Sequence, residues 1–253
     1  MIAFILCGGN GTRLDHEGKV KPKALIKIAN HPILIHLIKI LIKNQFKEFV
    51  LCLGYKKNEI NKYFSENYKL YSQRKISKKY KIISIIIDKV KIDLHLVDTE
   101  KNSGTGGRIK IANRIVKNKS VFFMTYCDGL ANINIKQLIN FHYKKGKLVT
   151  LTAVQPQHRY GVIRTHKSLV TSMNNNNPKQ DIWINGGFFI INPISLKFIK
   201  NNNTYWEAEP LNKLIQKREL SSYIHGGFWQ SLDTQKDKQN LNKIWKTNKN
   251  AWL

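Results

Sequence analysis

Apolar and polar residues come in short blocks along this chain, and the blocks change period. Ile2 to Leu6 is a continuous apolar run, which predicts a buried first strand. Pro32 to Asn44 reads as a helix, with proline at its start where a missing N–H costs nothing. Glu48 to Leu53 is a second apolar run and ends at Gly54. Asn58 to Tyr68 is helical by the spacing of Ile60, Tyr63, Phe64 and Tyr68. Strand and helix alternating in this rhythm predict an α/β fold with a mostly parallel sheet and crossover helices. Residues 69–81 are basic and tyrosine-rich and fit no period. Ile82 to Ile87 and Asp93 to Val97 then read as a hairpin inserted beside the parallel core.

The later blocks follow the same logic. A helix is expected over Ile109 to Val116, a buried strand over Ser120 to Tyr126, a helix over 134–145 and a strand over 148–155. From Gln157 the character changes. Arg159 to Ile163 and Ser168 to Met173 look like a short β section, and the asparagines 174–177 before Pro178 are loop. Trp183 to Ile191 is a strand with a glycine pair, Trp206 to Lys217 a helix, Ser221 to His225 a last strand, and a terminal helix runs to about Lys246. No flexible linker or repeat divides the chain. One domain with two lobes is expected, about 1–155 and about 156–253, the second a smaller mixed β lobe.

Composition changes this picture only a little. At 253 residues and 42% hydrophobic, the chain can bury a proper core. No apolar stretch approaches a membrane span, and the short N-terminal run lacks the basic flank of a signal peptide. The net charge of +27 is spread over scattered lysines, without a basic block or interleaved aromatics. That pattern fits the Lys/Asn/Ile bias of an AT-rich genome better than a nucleic-acid surface, and the positive field would still draw small anions. Cys7, Cys52 and Cys127 show no Cys-x-x-Cys spacing, which predicts buried thiols in a reducing, cytoplasmic setting.

Candidate chemistry begins where the first strand ends. Gly8, Gly9 and Gly11 lie within four positions, followed by Thr12, Arg13 and, after a gap, Pro22-Lys23. Such a loop lets backbone N–H groups reach phosphate oxygens, and the two basic side chains add fixed positive charge. It is neither a P-loop nor a dinucleotide fingerprint, since no Gly-Lys-Ser/Thr follows and Leu14 stands where a third glycine is required. The bland alternative is a tight turn. A second glycine-rich loop, Gly104 to Arg108, opens onto a helix whose N-terminus favours anions; the alternative there is a loop cap. Asp128 follows a buried strand, where α/β sheets bind ligands and where a carboxylate suits Mg²⁺ beside phosphates; the alternative is a turn residue.

Taken in order, these segments resemble the sugar-1-phosphate nucleotidyltransferases, and within them the cytidylyltransferase branch that makes CDP-glucose. The resemblance rests on Gly8 to Leu14, Pro22-Lys23, Pro32-Ile33-Leu34, Leu53 to Lys56, Leu96 to Thr99 and Thr105 to Arg108. It continues through Tyr126 with Asp128-Gly129, Leu151 to Pro156, Trp183 to Phe189, Gly227 to Gln230 and Asp233-Thr234, so it covers nearly the whole chain. It implies a Rossmann-like nucleotide-diphospho-sugar transferase fold, with a nucleotide-binding first lobe and a sugar-binding second one. It implies transfer of a cytidylyl group from CTP to a hexose 1-phosphate, glucose 1-phosphate by default, for surface polysaccharide. By the same resemblance, Gly8, Gly9, Gly11 and Thr12 hold the nucleotide, Arg13 and Lys23 bind its phosphates, and Gly106, Gly107 and Arg108 line the cytosine pocket. Asp128 and Asp233 hold Mg²⁺, and Tyr126 and Asn185 lie near the sugar phosphate. The expected partners are CTP and a sugar 1-phosphate, with no nucleic acid and no membrane; the family also implies a homo-oligomer.

One departure stands out. The family pattern carries Glu-Lys-Pro after the strand that corresponds to Val170 to Met173; here the Glu and Lys positions fall on Asn175 and Asn176, or on Asn176 and Asn177. Lys179 is the nearest cation that could take over the contact to the sugar phosphate. A smaller departure is Cys127, where the family has glycine. Two other readings stay open beside the cytidylyltransferase: a nucleotidyltransferase for another sugar or base, and a non-catalytic nucleotide-sugar binding homologue.

Overall fold

The computed structural model describes residues 1–9, 21–155, 162–166, 169–174 and 182–253. In chain order the first half contains β1 (Ala3–Cys7), the two-residue strands β2 (Lys27–Ile28) and β3 (His31–Pro32), α1 (Ile33–Lys43), β4 (Glu48–Leu53) and α2 (Lys57–Asn67). A meander follows: β5 (Ser72–Ser77), β6 (Tyr80–Ile87) and β7 (Val90–Asp98). Then come α3 (Thr105–Val116), β8 (Phe122–Tyr126), β9 (Gly129–Ala131), α4 (Ile135–Lys145) and β10 (Val149–Val154). The second half contains the hairpin β11 (Val162–His166) and β12 (Leu169–Asn174), then β13 (Ile184–Ile191), α5 (Glu209–Gln216), β14 (Leu220–His225), β15 (Trp229–Ser231) and α6 (Gln235–Thr247).

Nine strands form one sheet in the order β14-β10-β13-β8-β1-β4-β7-β6-β5. The centre is parallel: β1 pairs with both β4 and β8, and β4 pairs with β7. β13 runs antiparallel between β8 and β10, so strands from the two halves of the chain share one sheet. The central strands are apolar on both faces, because helices cover both. Ala3, Ile5 and Cys7 point into one core with α1, α2, α4 and α6, while Phe4 and Leu6 point into the other with α3 and α5. This is why the strands read as continuous apolar runs and not as alternating ones.

The structure corrects the place of the hairpin. β7 is not an insertion beside the parallel core; it pairs in parallel with β4 from Glu48↔Asp93 to Leu53↔Asp98. The antiparallel β6 and β5 then extend the same sheet to its edge. β5 occupies residues for which no period was legible, and every one of its side chains is exposed. The helix expected over Trp206 to Lys217 begins only at Glu209, with a proline in its first turn, and Trp206 is buried ahead of it. The three cysteines are free and buried as expected, and burial pushes the Cys52 thiol up to about 12.

A polar pair inside the helical core gives a pH dependence. His36 on α1 donates from Nε2 to the Ile28 carbonyl at 2.9 Å, and its Nδ1 accepts from Trp252 Nε1 at 3.3 Å. An indole N–H cannot accept, so the Trp252 contact requires a bare Nδ1 and hence the neutral ring, whereas the Nε2–H bond to the Ile28 carbonyl would survive protonation. Burial pushes the His36 pKa down to about 4. The unfolded chain therefore binds a proton that the folded one refuses between pH 6.5 and about 4. Stability is full above that window and falls by about 3 kcal/mol as pH drops through it. Urea unfolding midpoints measured across pH 7 to 4 should fall accordingly, and the fall should be smaller in His36→Gln. An unchanged slope in that variant assigns the pH dependence to other groups.

Candidate functional site

The parallel strands β1, β4, β7 and β8 all point their carboxyl ends the same way, and the chemistry-bearing residues gather there. Gly8 and Gly9 follow β1, Gly54 follows β4, Thr99 follows β7, and Asp128 lies two residues past β8. Gly9 is open, with nothing within 4 Å of a Cβ built on it. Arg13, Gly11 and Thr12 lie outside the described residues, as do Lys179 and the asparagine positions 175–177.

A two-stranded ribbon brings the two halves of the site together. β9 pairs antiparallel with β15, Gly129 opposite Ser231, and Leu232 N donates to the Asp128 carbonyl at 2.8 Å. Asp128 and Asp233, 105 residues apart, are thereby set side by side. Lys23 lies on a short 3-10 turn, Lys23–Leu25, that enters from the other side. Its Nζ donates to Asp128 Oδ2 at 2.6 Å and to Asp233 Oδ1 at 2.9 Å. Burial opposes the Lys23 charge, but the two carboxylates outweigh it and hold its pKa above the ordinary lysine value. Asp233 is fixed from behind. Its Oδ2 accepts from Ser231 Oγ at 2.8 Å, and its N–H donates to Asp237 Oδ2 at 3.1 Å. Asp237 in turn forms a capping box with Thr234 at the start of α6.

Beside this cluster is a cleft of about 190 Å³, lined by Tyr126, Asp128, Asn185, Gly187, Trp229 and Asp233 among others. Trp229 Nε1 donates to the Gly186 carbonyl at 2.8 Å and ties the ribbon to β13. Gly187 has φ +83°, and a Cβ there would lie 2.6 Å from the Tyr126 ring. Only glycine combines that backbone with that contact. Asn185 Oδ1 accepts from Gly187 N at 2.9 Å. The Tyr126 hydroxyl donates to Glu207 Oε1, and Thr105 Oγ1 donates to Glu207 Oε2 at 2.6 Å. Burial, and then the Glu207 carboxylate, push the Tyr126 phenol well above its ordinary value, which keeps it protonated and donating. Glu207 carries no motif in the sequence; only the fold places it under both Tyr126 and the start of α3.

The second glycine loop has a packing role. Gly104 N donates to the Asn202 carbonyl at 2.8 Å, and Gly107 N to the Thr204 carbonyl at 3.1 Å. A Cβ on Gly107 would lie 1.8 Å from the Asn202 carbonyl oxygen, and one on Gly106 2.9 Å from that of Thr204. α3 therefore meets the 201–206 loop backbone to backbone. Gly107→Ala forces them apart, and a loss of about 1–3 kcal/mol is expected by analogy with overpacked cores. An unchanged thermal midpoint would mean that the loop yields freely. Arg108, 5% exposed, turns beneath the first loop. Its Nη1 donates to Thr99 Oγ1 at 2.9 Å and to the Glu100 carbonyl at 2.7 Å, and its Nη2 to the Lys101 carbonyl at 2.9 Å. The guanidinium fills the space where Cβ atoms on Gly8 and Gly54 would stand, each 2.2 Å from Nη1. A second, larger opening of about 590 Å³ lies next to Gly54, with Lys56 and Lys101 set against the Tyr55 ring.

Comparison with known proteins follows the same lines. Residues 2–237 match the family described as nucleotidyl transferase. The chain is 39% identical over its whole length to glucose-1-phosphate cytidylyltransferase of Salmonella typhimurium, covering 98% of that protein, and equally to that of Salmonella typhi. Among solved structures, HddC from Yersinia pseudotuberculosis superposes with a TM-score of 0.71 at 18% identity, over 96% of this chain and 99% of that one. At that identity the likeness speaks for the fold alone.

Proposed function

The chain belongs to the nucleotidyl transferase family, and from that premise we propose that it transfers a cytidylyl group from CTP to a hexose 1-phosphate, glucose 1-phosphate by first choice, releasing a CDP-sugar and pyrophosphate. The observation that carries the chemistry is the convergence of Asp128, Asp233 and Lys23 at the carboxyl ends of the parallel strands. The choice of base and sugar is supported by the cytidylyltransferases that the chain resembles along its full length.

The reaction brings two anions together. An oxygen of the sugar phosphate attacks the α-phosphorus in line as the bond to pyrophosphate breaks. The nucleophile is already ionised, so the protein need supply no general base. Its work is to position both phosphates and to offset their charge. Lys23, already poised between two loops, carries one such charge, and Arg13 is assigned a second. Tyr126 and Asn185 line the cleft in which the sugar phosphate is proposed to lie. The backbone of Gly8 and Gly9, with the start of α3, is assigned to the nucleotide. Lys179 is proposed to contact the sugar phosphate in place of the family's lysine.

Mg²⁺ fits the residues present. Asp128 and Asp233 both reach one cationic point, and two carboxylates completed by substrate phosphates are the donor set Mg²⁺ takes in such enzymes. Among the described residues no group of three or more acidic, histidine or cysteine side chains could hold a metal without the substrate. Bound there, the ion would neutralise phosphate charge as pyrophosphate departs.

The test is a panel of nucleoside triphosphates against sugar 1-phosphates, scored by pyrophosphate release and by the mass of the sugar nucleotide. CTP with glucose 1-phosphate should be the best pair. Binding of CDP-glucose without any turnover would favour the non-catalytic reading instead. In the same assay Lys179→Ala should raise KM for the sugar phosphate much more than for CTP; a silent Lys179→Ala removes that residue from the site.

A further inference from the structure

The two carboxylates assigned to the metal already hold a cation, and it belongs to the protein. The Lys23 ammonium lies 2.6 Å from Asp128 Oδ2 and 2.9 Å from Asp233 Oδ1, with Lys23 itself only 14% exposed. This is a built contact and not a surface pairing. Asp233 is restrained by Ser231 and Asp237, and Asp128 by the ribbon that carries its backbone. Lys23 arrives on a separate element, in a 3-10 turn closed by Leu25 N donating to the Pro22 carbonyl at 2.8 Å. Without a cation at this point, two partly buried carboxylates from different segments would repel.

We propose that Lys23 is a surrogate for the divalent cation: it holds Asp128 and Asp233 together in the metal-free protein, and the metal gains both carboxylates only by displacing it. The inference rests on the reading of the site given above. A divalent ion coordinates oxygens at about 2.0–2.1 Å, so to take Asp128 Oδ2 and Asp233 Oδ1 it must replace the ammonium that now holds them. Ammonium and metal cannot both sit against them, because two positive centres would share one small space. The displaced ammonium has no acceptors of its own and three donors, which suit phosphate oxygens. Nucleotide phosphates therefore draw Lys23 away and open the carboxylates at once. Metal and nucleotide enter as a coupled pair, and each raises the other's affinity by the same factor.

The experiment is Mn²⁺ binding to the full chain, read by electron paramagnetic resonance without and with CTP. Wild type should bind Mn²⁺ weakly alone and much more tightly with CTP. Lys23→Met should bind Mn²⁺ at least about tenfold more tightly in the absence of nucleotide, and CTP should then add less. Lys21→Met, at an exposed neighbouring lysine, controls for the general loss of one positive charge and should change affinity far less. Adding Asp128→Asn to Lys23→Met should erase the gain. A second readout is stability: Lys23→Met should have a lower thermal midpoint than wild type without metal, and Mn²⁺ should restore it.

Equal Mn²⁺ affinity in Lys23→Met and wild type, or a gain matched by Lys21→Met, overturns the displacement. So does a gain that survives Asp128→Asn. None of these outcomes depends on turnover, so the proposed reaction stands or falls separately, on whether wild type makes a CDP-sugar.

Discussion

Asp128→Asn and Asp233→Asn should each lower turnover about 10²–10³-fold while the thermal midpoint stays close to that of wild type. An amide has nearly the same shape as a carboxylate but no charge, so the change would take one anionic ligand from the proposed metal site and little packing. The ribbon that sets the two residues side by side is built from backbone hydrogen bonds, which neither variant touches. Lys23 would also keep one of its two carboxylate partners. Because the two aspartates act as one unit, the double variant should be scarcely slower than either single one. Turnover near wild type in either variant would remove that residue from the metal site. A collapse of the thermal midpoint would mean that the carboxylate serves folding first.

Trp252→Ala should cost about 3–5 kcal/mol of stability, the usual range for losing a buried tryptophan or phenylalanine. Trp252 is 1% exposed, and its ring lies 5.2 Å from that of Trp245, 5.7 Å from Phe228 and 5.7 Å from His36. It also donates the indole hydrogen bond that His36 accepts. Truncation leaves a cavity and strands that acceptor. Phe228 directly precedes β15, so the damage should reach the ribbon that carries Asp233. Urea unfolding measures the first effect; a rise in the Mg²⁺ concentration needed for half-maximal turnover measures the second. A loss below about 1 kcal/mol would mean that the aromatic cluster repacks without it.

The strands and helices of the first half were legible because their apolar runs have clear periods. Glu48 to Leu53 was bounded to the residue, since a strand buried on both faces leaves an unbroken apolar run before Gly54. β5 was not legible for the opposite reason: as an edge strand with all side chains exposed, it has no buried face to imprint a pattern. The three-residue strands β9 and β15 are too short to show a period, yet their pairing brings Asp128 and Asp233 together. Periodicity also names no partners. It found β7 but could not say that β7 pairs in parallel with β4.

The candidate site divides in the same way. Lys23, Asp128 and Asp233 could be named from motifs, but their mutual contact depends on tertiary pairing. Glu207 was missed because the segment around it has no motif, and its partners Tyr126 and Thr105 lie 81 and 102 residues away. Gly106 and Gly107 illustrate a shared signal. A glycine pair at a helix start fits a ligand or a close backbone approach, and the Asn202 and Thr204 carbonyls that supply the second are invisible from the loop itself.

The most direct test of the central claim is a single assay of the purified chain with CTP, glucose 1-phosphate and Mg²⁺, with the products identified by mass. The account predicts CDP-glucose and pyrophosphate in equal amounts, dependent on Mg²⁺ and lost in Asp233→Asn. No sugar nucleotide from CTP, or a product formed equally well by Asp233→Asn, would contradict it.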